Sequence, residues 1–138
     1  NYLATWAVAG GLWTLGERPR AVATAGAGTA AWVGAKLVKA RVGRGRPAAE
    51  LGEVTVRGRE QSGLGFPSGH AAVSVAIGLA AGPGLPPVVR PLAVVAPATT
   101  VVSRLYVGAH LPLDVVGGTA LGLLTGSLAD LAARALAR

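Results

Sequence analysis

Ala21–Val38, Val88–Val107 and Leu113–Leu136 are long, nearly continuous runs of small and aliphatic residues. Each is far longer than an ordinary strand. As a helix rising 1.5 Å per residue, each is long enough to cross a hydrocarbon layer of about 30 Å. Two shorter apolar stretches, Tyr2–Leu15 and Ala71–Ala81, have the length of buried core helices. Helix breakers separate the five: Gly16-Glu17-Arg18-Pro19 after the first, Gly82-Pro83-Gly84 with Pro86-Pro87 after the third, and Pro112 opening the fifth. These features predict an all-α, membrane-embedded helical bundle in a single domain, 1–138. In the fifth stretch, Gly117, Gly118, Gly122 and Gly126 have the spacing that lets membrane helices approach closely, and equally read as simple helix softness.

Composition removes several function classes. The chain is 51% hydrophobic but only 4% aromatic, and with 14% charged residues it is neither a disordered segment nor a typical soluble domain. Thirteen Lys and Arg against six Asp and Glu leave a net charge of +7. That surplus suits an anionic lipid surface or an anionic substrate. No nucleic-acid partner is expected, since the basic residues are not interleaved with aromatics and adjoin apolar helices. The absence of cysteine removes disulfides and thiolate metal sites, and two histidines with six carboxylates leave little for a multi-ligand metal centre. Position 1 is Asn and no secretory leader opens the chain, so the expectation is a piece of a longer protein, with fusion to another lipid-handling domain as one form of it. A polar loop, 41–66, rich in Gly, Arg and Glu, separates the second and third stretches. It carries Glu50, Glu53, Arg57, Arg59 and Glu60, and Val54-Thr55-Val56 reads as a brief extended piece.

The chemistry sits in three ordered blocks. Lys39 is followed six residues later by Arg46-Pro47; then comes Pro67-Ser68-Gly69-His70; then Ser103-Arg104, with His110 and Asp114 beyond. A phosphomonoester carries close to two negative charges, so a site in or near lipid must supply fixed cations, and Lys39, Arg46 and Arg104 are available. Alone, Lys39 reads as a lysine snorkelling from a helix end, as Lys36 does one turn earlier. Ser68 is a good N-cap and Gly69 admits close backbone approach, so this segment reads as a helix start whose free N–H groups cradle phosphate. Without His70 beside it, an ordinary capped helix would be the better reading. Pro112 places Asp114 in the first turn of the next helix, four residues after His110. A carboxylate there can reach one ring nitrogen, fix the tautomer and leave the other nitrogen free to attack phosphorus.

Together the blocks resemble the three-part signature of the type 2 phosphatidic acid phosphatase superfamily, membrane branch, which also includes bacterial acid phosphatases and vanadium haloperoxidases. The resemblance spans Lys39 to Asp114, and the flanking helices agree in character. It implies that His110 forms a phosphohistidine, oriented by Asp114, and that His70 protonates the leaving oxygen and then activates water. It implies too that Lys39, Arg46, Ser68, Gly69 and Arg104 hold the phosphoryl oxygens, with no divalent metal or other cofactor. Membrane members have six core helices, three of them before the lysine block. Two precede Lys39 here, so about five of the six are expected.

Placing the three blocks on one side of the bundle puts the end of helix two, the start of three, the end of four and the start of five against the same water layer. Arg18, Arg20, Arg90, Arg134 and Arg138 then fall on the other side, a pattern expected of a cell-membrane protein with its site outside. The expected function is hydrolysis of a lipid phosphate: a polyprenyl diphosphate, phosphatidic acid, phosphatidylglycerol phosphate or a prenyl-linked sugar phosphate. The loop 41–66, lying between catalytic blocks, is expected to help select the headgroup. The rival readings are a soluble acid phosphatase or vanadate-dependent peroxidase with the same pocket, and a non-catalytic membrane lipid-binding module.

Overall fold

The computed structural model describes residues 2–51, 54–57 and 61–137. It is helical, with no strand among the described residues: α1 (Tyr2–Thr14), α2 (Arg18–Val42), a one-turn α3 (Pro47–Leu51), α4 (Gly69–Ala81), α5 (Leu92–Tyr106) and α6 (Pro112–Leu136). The expected all-α bundle of five long helices is what forms. Two of them, α2 and α6, are long and apolar enough to cross a membrane. Glu53, Arg59, Glu60 and Arg138, singled out above, lie outside the described residues.

The helix ends follow the local chemistry. Gly16, at φ 84°, turns the chain after α1, and Pro19 sits in the first turn of α2, where its missing N–H costs nothing. Gly43, at φ 67°, closes α2 by donating its N–H to the Lys39 carbonyl at 2.9 Å. The fourth apolar stretch corrects the sequence reading. Its helix covers only 15 residues, because Pro86, Pro87 and Pro91 hold residues 86–91 in successive turns. At about 22 Å, α5 falls short of a hydrocarbon layer. Val54-Thr55-Val56 forms no strand either. The backbone contact there is a single bond from the Arg57 N–H to the Val107 carbonyl at 3.0 Å, too little for a ladder.

The short α4 is the centre of the bundle, packed on α6, α2 and α5, with α1 lying chiefly on α2. Its Ala71, Ala72, Val73, Ala76 and Ala80 are all but sealed from solvent. Close approach by α6 explains the glycines. An added Cβ at Gly122 would lie 2.5 Å from the Ala72 carbonyl oxygen and 2.8 Å from the Val75 Cβ, and one at Gly126 would lie 2.9 Å from the Leu79 Cβ. Gly118 meets the Ser68 carbonyl in the same way. Close approach to α4, not helix softness, is the reason for Gly118, Gly122 and Gly126, whereas Gly117 makes room for the Phe66 ring. The outward faces are apolar instead: Val94, Val102, Leu124, Leu128 and Leu131 are all more than half exposed.

At the end of the bundle where α2 begins, the Arg20 guanidinium pairs with Asp130 of α6 and reaches the Ala80 carbonyl of α4. Arg134 holds the other Asp130 oxygen at 2.9 Å. Arg18, Arg20 and Arg134 thus share this end, opposite the end of α2 and the starts of α4 and α6.

Replacing Gly122 by Ala should cost about 1–3 kcal/mol, because a methyl must displace the α4 backbone. Gly10→Ala, with nothing within 4 Å of the new Cβ, should be neutral or slightly stabilising. Thermal unfolding in detergent compares them, and equal midpoints for the two variants would contradict the packing described.

Candidate active site

His110 lies in the short connection between α5 and α6 and is 4% exposed. Its Nδ1 is 3.5 Å from the Asp114 Oδ2, the outer edge of hydrogen-bonding distance, and has no other partner among the described residues. Its Nε2 is 3.5 Å from the Arg46 Nη1. A guanidinium only donates, so this arrangement suits the tautomer with the proton on Nδ1, toward the carboxylate, and the lone pair on Nε2, toward the arginine.

Asp114 is wholly buried in the first turn of α6, where Pro112 starts the helix. Its Oδ2 accepts the Leu111 N–H at 2.8 Å, closing the open end of the helix, and its Oδ1 is paired with the Arg44 guanidinium. Arg44 also lies over the Phe66 ring, 5.1 Å from its centroid. In the sequence Arg44 is marked by nothing beyond its place in the polar loop 41–66. No spacing distinguishes it, and the one available signal is physical: a buried aspartate requires a cation.

The remaining residues gather from four elements. Lys39, at the end of α2, donates to the Leu64 and Gly65 carbonyls at 2.6 and 3.1 Å, just before the Pro67–His70 block. Arg46, immediately before α3, donates to the Ala109 carbonyl at 2.9 Å and to the Ser62 carbonyl at 3.1 Å. Ser68 caps α4, its Oγ accepting from the Ala71 N–H at 3.5 Å, and is fully buried. Its own N–H is bound to the Asp114 carbonyl at 2.8 Å, which joins the starts of α4 and α6. That N–H is unavailable to a ligand, so Ser68 can offer only its hydroxyl, while Gly69 and His70 are the first residues of α4. The side-chain cations that bear most on His70 are Arg104, then Arg46 and Lys39. Arg104, in the last turn of α5, pairs with no carboxylate among the described residues; its Nε touches the Ser103 hydroxyl at 3.5 Å. It lines a cavity of about 350 Å³ with Arg46, Arg57, Ser62 and Ala109. Lys36, by contrast, sits over the Trp32 ring, 3.8 Å from its centroid, away from this cluster.

Charge bookkeeping decides what such a site can hold. Arg44 offsets Asp114, and the Glu50 carboxylate is occupied by the Gly45 N–H at 2.6 Å. Among the described residues Lys39, Arg46 and Arg104 pair with no carboxylate, an arrangement suited to a dianion. No group of three or more metal-ligating side chains occurs among the described residues.

The model of the PAP2 superfamily matches residues 19–135. The chain belongs to that superfamily. Two relatives of this PAP2 chain, from Mycobacterium tuberculosis strains CDC 1551 / Oshkosh and ATCC 25618 / H37Rv, are each named decaprenylphosphoryl-5-phosphoribose phosphatase. Each is 38% identical over 119 residues, covering 84% of this chain and 63% of the relative. The PAP2 chain therefore spans about 63% of the length of the curated relatives it matches. No solved structure gives a significant match.

Burial, reinforced by Arg46 and Lys39 and opposed by Asp114, pushes the His110 imidazole down from its usual 6.5 to about 4. The unfolded chain, with this group at its ordinary value, therefore binds more protons between about pH 4 and 6.5. The stability this ring contributes is complete above 6.5 and falls away as pH drops through that window. Nitrogen-resolved NMR should find His110 neutral at pH 6 with a midpoint near 4. A midpoint at 6.5 would show the ring to be solvated and unopposed by the cations.

Proposed function

We propose that this PAP2 member is an integral membrane phosphatase that hydrolyses a lipid-linked phosphate through a phosphohistidine. The observation that carries the proposal is the His110 ring, set between the buried Asp114 carboxylate on Nδ1 and the Arg46 guanidinium beside Nε2. A phosphoryl group bound by Arg46 would stand directly before the nitrogen whose lone pair is free.

The steps follow from these positions. Lys39, Arg46 and Arg104 bind the phosphoryl oxygens, joined by the Ser68 hydroxyl and the free N–H groups at the start of α4. His110 Nε2 forms a bond to phosphorus as the ester P–O bond breaks, and His70 gives a proton to the departing oxygen. Asp114 stabilises the positive ring through Nδ1. His70 then takes a proton from water, whose oxygen attacks phosphorus; the N–P bond breaks and phosphate leaves. The cations and backbone donors take the part that metal ions play elsewhere, so the reaction needs no added divalent cation.

Several features support the membrane setting. Two helices are long enough to cross, and the outer faces of α5 and α6 are aliphatic. Arg18, Arg20 and Arg134 at the end away from the site favour that end being cytoplasmic and the site external in the cell membrane. On the site side, Arg44 is engaged by Asp114 and Arg57 by the Tyr106 carbonyl at 3.0 Å. Among the candidate substrates, the name printed for the relatives favours a prenyl-linked sugar phosphate. The loop 41–66 supplies Arg46, Arg57 and Ser62 to the cavity wall, a placement suited to selecting the headgroup.

Phosphate release from a prenylphosphoryl sugar phosphate, measured with EDTA present, tests this reading. His110→Ala should abolish turnover, and His70→Ala should lower it by about 10²–10⁴. Full activity in His110→Ala, or loss of wild-type activity on chelation, would overturn the mechanism.

A further inference from the structure

The two oxygens of the buried Asp114 carboxylate serve different partners. Oδ2 accepts the Leu111 N–H at 2.8 Å and lies 3.5 Å from His110 Nδ1, while Oδ1 faces the Arg44 guanidinium. Arg44 is held in place from several sides. Its carbonyl accepts the Gly65 N–H at 2.8 Å, and its guanidinium lies 5.1 Å from the centroid of the Phe66 ring. That ring is itself wedged against α6, where a Cβ added at Gly117 would lie 2.5 Å from it. The Arg44 side chain is 25% exposed and that of Asp114 is sealed, so little water screens the pair. Among the described residues this carboxylate is the acceptor that the guanidinium engages, and Arg44 Nε is buried without a partner.

A carboxylate beside a histidine orients the ring and also favours positive charge on it. A guanidinium locked on the far oxygen leaves the first effect intact and opposes the second, since the ring then faces an ion pair and not a bare anion. The other charged groups that face His110 are Arg46, from the loop before α3, and Lys39, from the end of α2, and both are cations. Arg104 of α5 bears on His70 of α4. Of these groups only Asp114 favours a charged His110, and Arg44 is the one that holds its carboxylate in check.

The consequence falls on the second step of the proposed reaction. There His70 takes a proton from water, whose oxygen bonds to phosphorus as the Nε2–P bond breaks. The electron pair of that bond returns to the ring, which passes from positive to neutral while Nδ1 keeps its proton. A ring whose positive charge is weakly stabilised departs faster, and one facing an unopposed carboxylate departs more slowly.

We propose that Arg44 is a positioning residue which, through Asp114, keeps positive charge on His110 short-lived and so lets the phosphohistidine break down quickly. The phosphohistidine rests on the phosphatase reading above; the coupling of Arg44 to the His110 ring does not, and is measured separately.

The test uses the full-length protein in detergent. In Arg44→Gln, nitrogen-resolved NMR should find the His110 midpoint raised from about 4 by about one unit. Arg44→Lys, which keeps the charge, should leave it near the wild-type value. So should Arg41→Gln, which removes an exposed charge from the last turn of α2. A merely structural strap predicts lower unfolding temperatures in both Arg44 variants and no change of midpoint. The second readout is protein labelling at steady state by a prenylphosphoryl sugar phosphate radiolabelled in its terminal phosphate, quenched in alkali. The labelled fraction should rise in Arg44→Gln by up to about tenfold and return to the wild-type level in Arg44→Lys. If Arg44→Gln does not fold, Arg44→His takes its place. Its labelled fraction should match wild type at about pH 5, where the introduced ring is charged, and exceed it several-fold at about pH 8.5, where that ring is neutral. A His110 midpoint that stays or falls in Arg44→Gln, or a labelled fraction in Arg44→His that tracks wild type at both pH values, would overturn the proposal. A raised midpoint in a protein that releases no phosphate and traps no label would refute the phosphatase reading and leave the Arg44 coupling standing.

Discussion

Asp114 is the residue on which the arrangement of this bundle turns. A carboxylate removed wholly from solvent is tolerable only when its lone pairs and charge are met by partners. Here they are met by the Leu111 N–H, which starts α6, and by the Arg44 guanidinium, which ties down the chain leaving α2. The backbone carbonyl of the same residue takes the Ser68 N–H and so binds α4 to α6. With these contacts spent on structure, the Oδ2 edge is still turned toward His110 at 3.5 Å. One buried residue thus sets a helix start, a helix–helix junction, a loop anchor and a ring orientation. The chemistry proposed for His110 is inseparable from the packing around it.

Packing in such a bundle cannot rest on aromatic bulk, as only 4% of the chain is aromatic. It rests on proximity. Where lipid replaces water, apolar side chains gain little by leaving it, and helices associate through close van der Waals contact. The glycines of α6 against the alanines of α4 supply that contact, with Gly122 set against the Ala72 carbonyl. Close approach has a second effect. It brings the starts of α4 and α6 near enough for the Ser68–Asp114 bond, so the small-residue stripe is also what positions the two histidine-bearing segments.

Much of this was legible in the sequence, and the failures are instructive. Continuous aliphatic runs with Gly and Pro between them declared helices, and all five long ones appear. The fourth was read too long because hydropathy sees Val88 and Val89 as helix material, whereas Pro86, Pro87 and Pro91 impose turns until Leu92. The brevity of α4 admitted a soluble-protein reading; it is short because it is the buried centre, wrapped by longer neighbours. The spacing of Lys39, Arg46, His70, Arg104, His110 and Asp114 carried the candidate site. It could not reveal Arg44, whose importance comes from a contact across 70 positions of sequence. Nor could it show that the Ser68 N–H is consumed internally. Pair contacts between distant loops leave no periodic trace, and periodicity is most of what one sequence displays.

The two faces of α4 divide the work of the molecule. Residues 72, 75, 76 and 79 meet the glycines of α6, and their side must stay small and rigid for the helices to touch. Residues 74, 77, 78 and 81 continue the face of His70 and line an open cleft. A helix of only 13 residues can serve both because nothing on it is spent on reaching water at its far end, where Gly82-Pro83-Gly84 turns the chain at once. Its near end is fixed by Asp114, and Lys39, Arg46 and Arg104, the cations that bear on His70, pair with no carboxylate among the described residues.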